Sequence, residues 1–374
     1  MCSLTAVLSI LKRPRARVLA IALATVGLSG CAAVRMTPPR VGAPGAGNFV
    51  FIPAADPRLQ FSDGLRPVLL PDGAARFDRG LDTPGRGFRW DSPGSRLRWR
   101  TDSGVTRAHL RYTRLHTGSS RNSLGVFRVD RRANPKWIFT RPGNGDADVV
   151  VDLPVPAGGG AHDFEIILPY GDSVDVLGVD VLPAANFWPP APRPPRRYLA
   201  FGDSVTHGFT GSDVTKSYAF RLAEAQGWEL VNLGIGGRGA VGADGPVLAG
   251  IDADVVSVLI GVNDWQGGVE LDEFREEFSV LLAGLSRACV NRPVYVITPL
   301  WVAPTWQPAG VTYPLERYRD IIRQVVADRR DPQLRLIEGP ALIDHDPAFF
   351  DAIAVHPNDA GFFQMAERLA ALMR

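Results

Sequence analysis

The sequence predicts an all-β sandwich or jelly roll followed by an α/β domain built on a parallel sheet. Three observations predict it. Between about residues 48 and 183 the chain runs in short apolar–polar alternations broken by Gly, Pro, Asn or Asp, the period-2 signature of half-buried strands. From residue 198 onward, short apolar runs alternate with helix-length segments, which argues for a parallel sheet covered on both faces. Between the two lies NFWPPAPRPPRRY (Asn186–Tyr198), whose prolines cannot continue a central strand and favour extended polyproline geometry.

Taken in order, residues 1–30 read as a signal peptide. Lys12, Arg13, Arg15 and Arg17 form a positive region, and VLAIALATVGL (Val18–Leu28) is apolar but too short to span a bilayer as a mature helix. The segment ends LSGC (Leu28–Cys31), which resembles the bacterial lipobox. That resemblance implies cleavage before Cys31, a lipid on Cys31 and attachment to a membrane. Ala32, standing where Asp would not be expected for an outer-membrane protein, resembles the sorting of lipoproteins to the outer membrane, facing the periplasm. A simple secretory signal with a chance Cys is the alternative. Residues 31–47, containing TPPRVGAPGAG, read as a flexible tether.

Removing the four signal-region cations from the chain's 41 leaves 37 basic against 39 acidic side chains, a net charge of −2. Such a balance carries no nucleic-acid footprint. The cysteines are Cys2, Cys31 and Cys289. With the first removed and the second lipidated, Cys289 has no disulfide partner and is expected as a small buried hydrophobe on a helix.

Within residues 48–183 the alternating runs are RLRWRT (Arg96–Thr101), AHLRYTRL (Ala108–Leu115), LGVFRVD (Leu124–Asp130), DVVVDLPV (Asp148–Val155) and HDFEIILPY (His162–Tyr170). Residues 184–197 read as a semi-rigid linker. The α/β domain, 198–374, offers the strands YLAFGD (Tyr198–Asp203), ELVNLGI (Glu229–Ile235), DVVSVLIG (Asp254–Gly261), PVYVITPL (Pro293–Leu300) and LRLIEG (Leu334–Gly339). Helical spacing puts Leu271, Phe274, Phe278, Leu281, Leu282 and Leu285 on one face, and Tyr318, Ile321, Ile322, Val325 and Val326 on another.

Open α/β sheets place function at the carboxyl ends of their strands, and four short blocks meet that condition. GDSVT (Gly202–Thr206), NLGIGG (Asn232–Gly237) and GVND (Gly261–Asp264) follow three of the strands, and VHPND (Val355–Asp359) precedes the last helix. In these blocks residues 198–374 resemble the SGNH, or GDSL-type, ester hydrolases, whose four named residues match Ser204, Gly237, Asn263 and His356. The resemblance implies a three-layer, flavodoxin-like α/β/α fold with five parallel strands. It also implies Ser204 as nucleophile, His356 as base, and an oxyanion site made of the Ser204 and Gly237 N–H groups and the Asn263 amide.

The chemistry needs these residue types. A serine hydroxyl attacks only when a base takes its proton, and neutral imidazole does so near pH 7. The oxyanion that forms on an ester carbonyl needs preorganised donors, each worth about 3–4 kcal/mol in the transition state. Rival assignments remain open at this point. Ser204 could simply cap a helix, Gly236 or Gly234 could replace Gly237, and His207, three residues after Ser204, is a second base candidate. Asp203 and Asp264 are expected to order their loops. No HExxH, CxxC or clustered carboxylate pattern points to a metal, and no cofactor is implied.

The family usually writes its last block Asp-x-x-His, yet Ile353 stands three before His356. Either Asp351, five before, loops back to the imidazole, or a Ser-His dyad works without an acid; Asp346 and Asp344 are weaker third choices. A β sandwich ahead of such a domain resembles carbohydrate esterases that remove acetyl groups from polysaccharides, with an acylated carbohydrate as substrate. Trp90, Trp99, Trp137 and Tyr112 could stack on sugars or fill the core, and Trp265, Trp301 and Trp306, after strand ends, could line the pocket. A lipase- or lysophospholipase-like acyl hydrolase is the runner-up, and a degenerate glycan-binding lipoprotein the non-enzyme alternative.

Overall fold

The computed structural model describes residues 35–36, 44–62, 67–81, 88–91, 93–115, 124–139, 146–288, 291–352 and 355–373. The signal segment, Cys31 and Cys289 lie outside the described residues. From Val34 onward the chain forms one compact unit.

Its first half is a two-sheet β sandwich. One sheet runs Arg35–Met36, Arg132–Phe139, Gly125–Val129, His162–Ile167, Arg96–Thr101, Phe187–Trp188, with Gln60–Phe61 also on Arg96–Thr101. The other runs Ala147–Leu153, Thr106–Leu115, Asp172–Val181, Ala75–Phe77, Pro67–Leu69, with Val50–Pro53 also on Asp172–Val181. Alternation puts Leu97, Trp99, Phe164 and Ile166 of the first sheet in the same buried cluster as Leu110, Tyr112, Val149, Val151, Val174 and Val176 of the second. Trp99 stacks on its cross-strand partner Phe164 at 5.5 Å. Two of the aromatic side chains weighed as sugar platforms, Trp99 and Tyr112, are therefore core. Trp90 lies beside Arg76 and Arg89, and the Trp137 side chain is outside the described residues.

Three segments differ from the sequence expectation, the first being Arg35–Met36, which falls in the expected tether yet pairs with Trp137 and Ile138. Phe187–Trp188, in the proline-rich stretch, adds a short strand to the sandwich by pairing with Thr101 and Arg100. Asp172–Val181, which shows no clean alternation, is a central strand. Register shifts at Ser173/Val174 and Val176/Gly178 break its period. Gly178 is required there, because a Cβ would stand 2.2 Å from the Ile52 carbonyl oxygen.

The second half holds five parallel strands: β1 (Arg197–Gly202), β2 (Glu229–Gly234), β3 (Val255–Leu259), β4 (Val294–Ile297) and β5 (Leu334–Ile337). Their order is β2-β1-β3-β4-β5, so the chain reverses direction across the sheet beside β1, where a crevice opens at the carboxyl ends. The helices are α1 (Ser204–His207), α2 (Tyr218–Gln226), α3 (Asp244–Ala249), α4 (Val262–Gln266), α5 (Leu271–Ala288), α6 (Leu315–Arg329) and α7 (Asp359–Leu372). α5 buries Phe274, Phe278, Leu281, Leu282 and Leu285, and α6 buries Tyr318, Ile321, Ile322 and Val325, as their spacing predicts.

The sandwich packs on this half through charge as well as apolar surface. Arg96, whose side chain is 7 % exposed, reaches Glu165 of its own sheet at 3.2 Å and Glu224 of α2 at 3.0 Å, over the Phe220 ring. Arg128 joins Glu224 at 2.7 Å. These arginines occupy the outward positions of their strands, and the α/β half covers them.

Candidate active site

β1 ends in Gly202, where a Cβ would lie 2.1 Å from Thr206 Oγ1; only glycine lets α1 fold back over the strand. Asp203 caps that helix by accepting the Val205 N–H at 2.8 Å. Ser204 is the first helical residue, and Gly208, at φ 97°, closes the turn in the left-handed region. Gly234, at the end of β2, passes so near α1 that a Cβ would meet the His207 nitrogen at 2.0 Å. Asn232 ties the same two segments together, donating from Nδ2 to the Thr206 carbonyl at 2.9 Å.

Ser204 Oγ lies 2.8 Å from His356 Nε2, across 152 residues of sequence. His356 Nδ1 lies 3.3 Å from Asp351 Oδ2. The other carboxylate oxygen accepts the backbone N–H groups of Val355 at 3.1 Å and His356 at 3.3 Å, while Asp351 N donates to the His356 carbonyl at 2.7 Å. Burial opposes the charge on Asp351, but the hydrogen bonds from the imidazole and from Val355 hold its carboxyl below the usual carboxylate range. The other acids lie elsewhere: Asp346 caps the short turn Pro347–Phe349, and Asp344 pairs with Arg368 and Gln364. Asn358 pins the loop, donating to the Ala348 and Phe350 carbonyls and capping α7.

Two residues without motif support also hold the segment that carries the imidazole. The Phe209 ring meets His356 edge-on at 4.9 Å. Thr210 follows at φ 77°, a strained value for a β-branched residue, and donates from Oγ1 to the Pro357 carbonyl at 2.8 Å.

The loop after β2 turns at Ile235–Arg238, closed by Arg238 N donating to the Ile235 carbonyl at 3.1 Å. Gly237 occupies the third position at φ 76°, which such a turn reserves for glycine. Asn263, in α4, donates from Nδ2 to the Arg238 carbonyl at 3.1 Å, so the loops bearing Gly237 and Asn263 touch. Of the rival glycines, Gly234 already gives its N–H to Asn232 Oδ1 at 2.8 Å; Gly236 shares the turn with Gly237. Asp264 accepts the Ala240 N–H at 2.9 Å, and burial pushes its carboxyl up to about 6. Burial likewise pushes Asp203 up to about 7.

His207, the second base candidate, turns away. Its Nε2 stands 3.2 Å from Asp91 of the sandwich, both side chains being buried, with the Tyr170 ring edge-on at 5.6 Å. Arg79, also from the sandwich and 1 % exposed, donates to the carbonyls of Asn232 at 3.4 Å and of Gly234. Trp265 is buried and donates to the Tyr313 carbonyl at 3.0 Å, with Trp306 against it at 5.3 Å. Trp301, partly exposed, stacks on His345. Sequence reasoning missed Arg79, Asp91, Phe209 and Thr210. The first two lie more than a hundred residues upstream in a different sheet system, and no local pattern announces them.

The profile of the GDSL-like lipase/acylhydrolase family matches residues 200–362. Among curated proteins, none matches the chain in sequence. Solved structures do match over nearly the whole two-part architecture. A salicylyl acyltransferase from a tetracycline biosynthetic pathway is 20 % identical, with a TM-score of 0.72 over 88 % of this chain and 98 % of its own. A family two carbohydrate esterase from Cellvibrio japonicus is 17 % identical, with a TM-score of 0.66 over 87 % and 97 %. An acetyl xylan esterase from the rumen bacterium Butyrivibrio proteoclasticus is 10 % identical, with a TM-score of 0.59 over 87 % and 98 %. At these identities the likeness is one of fold.

Proposed function

We propose, from the match of residues 200–362 to the GDSL-like lipase/acylhydrolase family, that the chain is a serine ester hydrolase that removes O-acetyl groups from carbohydrate. The observation that carries this reading is the 2.8 Å hydrogen bond from Ser204 to His356, backed by Asp351 on the far imidazole nitrogen. Asp351 keeps a proton on Nδ1, which leaves Nε2 free to accept. As Ser204 Oγ bonds to the ester carbonyl carbon, its proton passes to Nε2. The negative charge that forms on the carbonyl oxygen is met by the Ser204 and Gly237 N–H groups and the Asn263 amide. When the carbon–alkoxy bond breaks, the Nε2 proton goes to the departing alcohol and an acyl-Ser204 remains. Water then attacks, giving its proton to Nε2, and carboxylic acid leaves as Ser204 recovers that proton. Every step moves groups already named, so none calls for a cofactor.

Carbohydrate is preferred over lipid because the fold likeness extends through the sandwich to carbohydrate esterases, and because partly exposed Trp301 and Trp306 follow β4. The deciding experiment is fluorophosphonate labelling together with hydrolysis of p-nitrophenyl esters. Wild type should label and hydrolyse the acetyl ester, and Ser204→Ala should do neither. Absence of both in wild type would remove the enzyme reading. Faster turnover of long acyl esters than of acetate would replace it with the lipase-like alternative. By the lipobox resemblance at Leu28–Cys31 the proposed setting is the bacterial outer membrane, periplasmic side, on a lipid anchor. Cys31→Ser should then move the protein from the membrane pellet to the soluble fraction; an unchanged distribution would refute the anchor.

A further inference from the structure

β2 is the outer strand of the parallel sheet. Ile235 N–H bonds back to Gly202 on the β1 side, so the peptide groups of Asn232 and Gly234, of opposite parity, face away from β1. Gly234 N–H is met there by Asn232 Oδ1. The two outward carbonyls are met by the buried guanidinium of Arg79, which arrives from the sandwich. A neutral donor would satisfy an exposed strand edge, whereas burying a guanidinium is costly unless its geometry is used. A single nitrogen, Nη2, donates to both carbonyls, two residues apart on the same edge, and so ties the strand end at two points.

That tie matters because Gly234 stands three residues before Gly237. The intervening turn is closed by its own hydrogen bond, and its last carbonyl, that of Arg238, is held by Asn263. The sandwich has a second hold on the neighbouring segment through Asp91 and His207, on α1 behind Ser204. Two side chains of the sandwich thus grip the two segments that carry the nucleophile and the loop glycine.

We propose that Arg79 is a positioning residue for ester hydrolysis: from the β sandwich it sets the carboxyl end of β2 and so aims the Gly237 N–H at the oxyanion. The proposal rests on the hydrolase reading above. A donor displaced by about 1 Å costs on the order of 100-fold in rate, and it acts on the transition state rather than on substrate binding.

The test compares Arg79→Met, which keeps a long apolar stem without donors, with Arg79→Lys, which keeps charge and donors but loses the planar guanidinium. Arg79→Met is expected to lower kcat for p-nitrophenyl acetate by about 10- to 100-fold with KM within about twofold. Arg79→Lys is expected to fall between it and wild type. Hydrogen exchange of the backbone amides over residues 235–240 should quicken in the same order. A wild-type kcat and wild-type exchange in Arg79→Met would overturn the proposal, as would a lowered melting temperature with kcat per folded molecule unchanged. If Arg79→Met does not fold, Arg79→Lys decides by the same two measurements: partial loss supports the proposal and no change overturns it. Should wild type neither label nor turn over, the hydrolase reading falls. Exchange in Arg79→Met then still decides whether Arg79 holds the loop, faster supporting it and unchanged overturning it.

Discussion

His356 is held on both nitrogens, and the hold on Nδ1 comes from an acid that also ties its own loop closed. Asp351 spends one oxygen on the imidazole and the other on two backbone N–H groups. Asp351→Asn can keep the loop by turning its remaining oxygen to those N–H groups, but its amide then donates toward Nδ1 and selects the wrong tautomer. Turnover should fall by about 10³–10⁴-fold with little change in melting temperature. Asp346→Asn, which alters only the cap of Pro347–Phe349, should stay near wild type; comparable losses in the two variants would contradict the assignment. Ser204 and His356 were legible in sequence because each sits in a contiguous block. The acid was legible only as a choice, Asp351 or a dyad without an acid, because its spacing departs from Asp-x-x-His and only the folded loop shows which carboxylate returns to the ring.

At the scale of elements, strands buried on both faces in a parallel sheet read directly from sequence, since they need unbroken apolar runs. All five had been visible to within a few residues. Asp172–Val181 was not, because two bulges shift its period and because two of its three buried acids, Asp175 and Asp180, are matched by Arg76 and His109 on neighbouring strands. The loops after β1 and β3 carry a further consequence. Burial raises the carboxyls of Asp203 and Asp264 to about 7 and about 6, so the fold prefers each in its neutral form. The stabilisation from that preference is complete below about pH 4 and is lost as pH rises through 6 for Asp264 and 7 for Asp203. Asp264→Asn removes the titration while keeping an acceptor for Ala240. Its stability relative to wild type should therefore rise by about 2–3 kcal/mol between pH 4 and pH 8, read by urea unfolding at both pH values. A constant difference would show that Asp264 does not titrate in this range.

For the whole molecule, one hydrophobic cluster contains both sandwich residues, such as Trp99 and Phe164, and residues of the parallel sheet, such as Phe201 and Val258. Burial that is shared in this way couples unfolding. Calorimetry should show a single transition, and two separated transitions would contradict the coupling. Arg96→Met takes from buried Glu165 its nearest cation but leaves Arg98 at 3.9 Å and Arg128 at 3.7 Å, so the loss should be about 1–3 kcal/mol with the transition still single. The two-part layout itself was legible from the change of period at residue 198. The intimacy of the two parts was not, because Arg79–Gly234 and Asp91–His207 join residues that share no pattern.

On a gene map the proline-rich stretch before β1 looks like a natural seam at which one module could be exchanged for another. The contacts across it say otherwise. Cutting there would strip the carbonyls at the end of β2 of their guanidinium and His207 of its carboxylate, so a replacement module would have to bring both. Recombination that preserves these contacts must therefore carry the sandwich along as a unit.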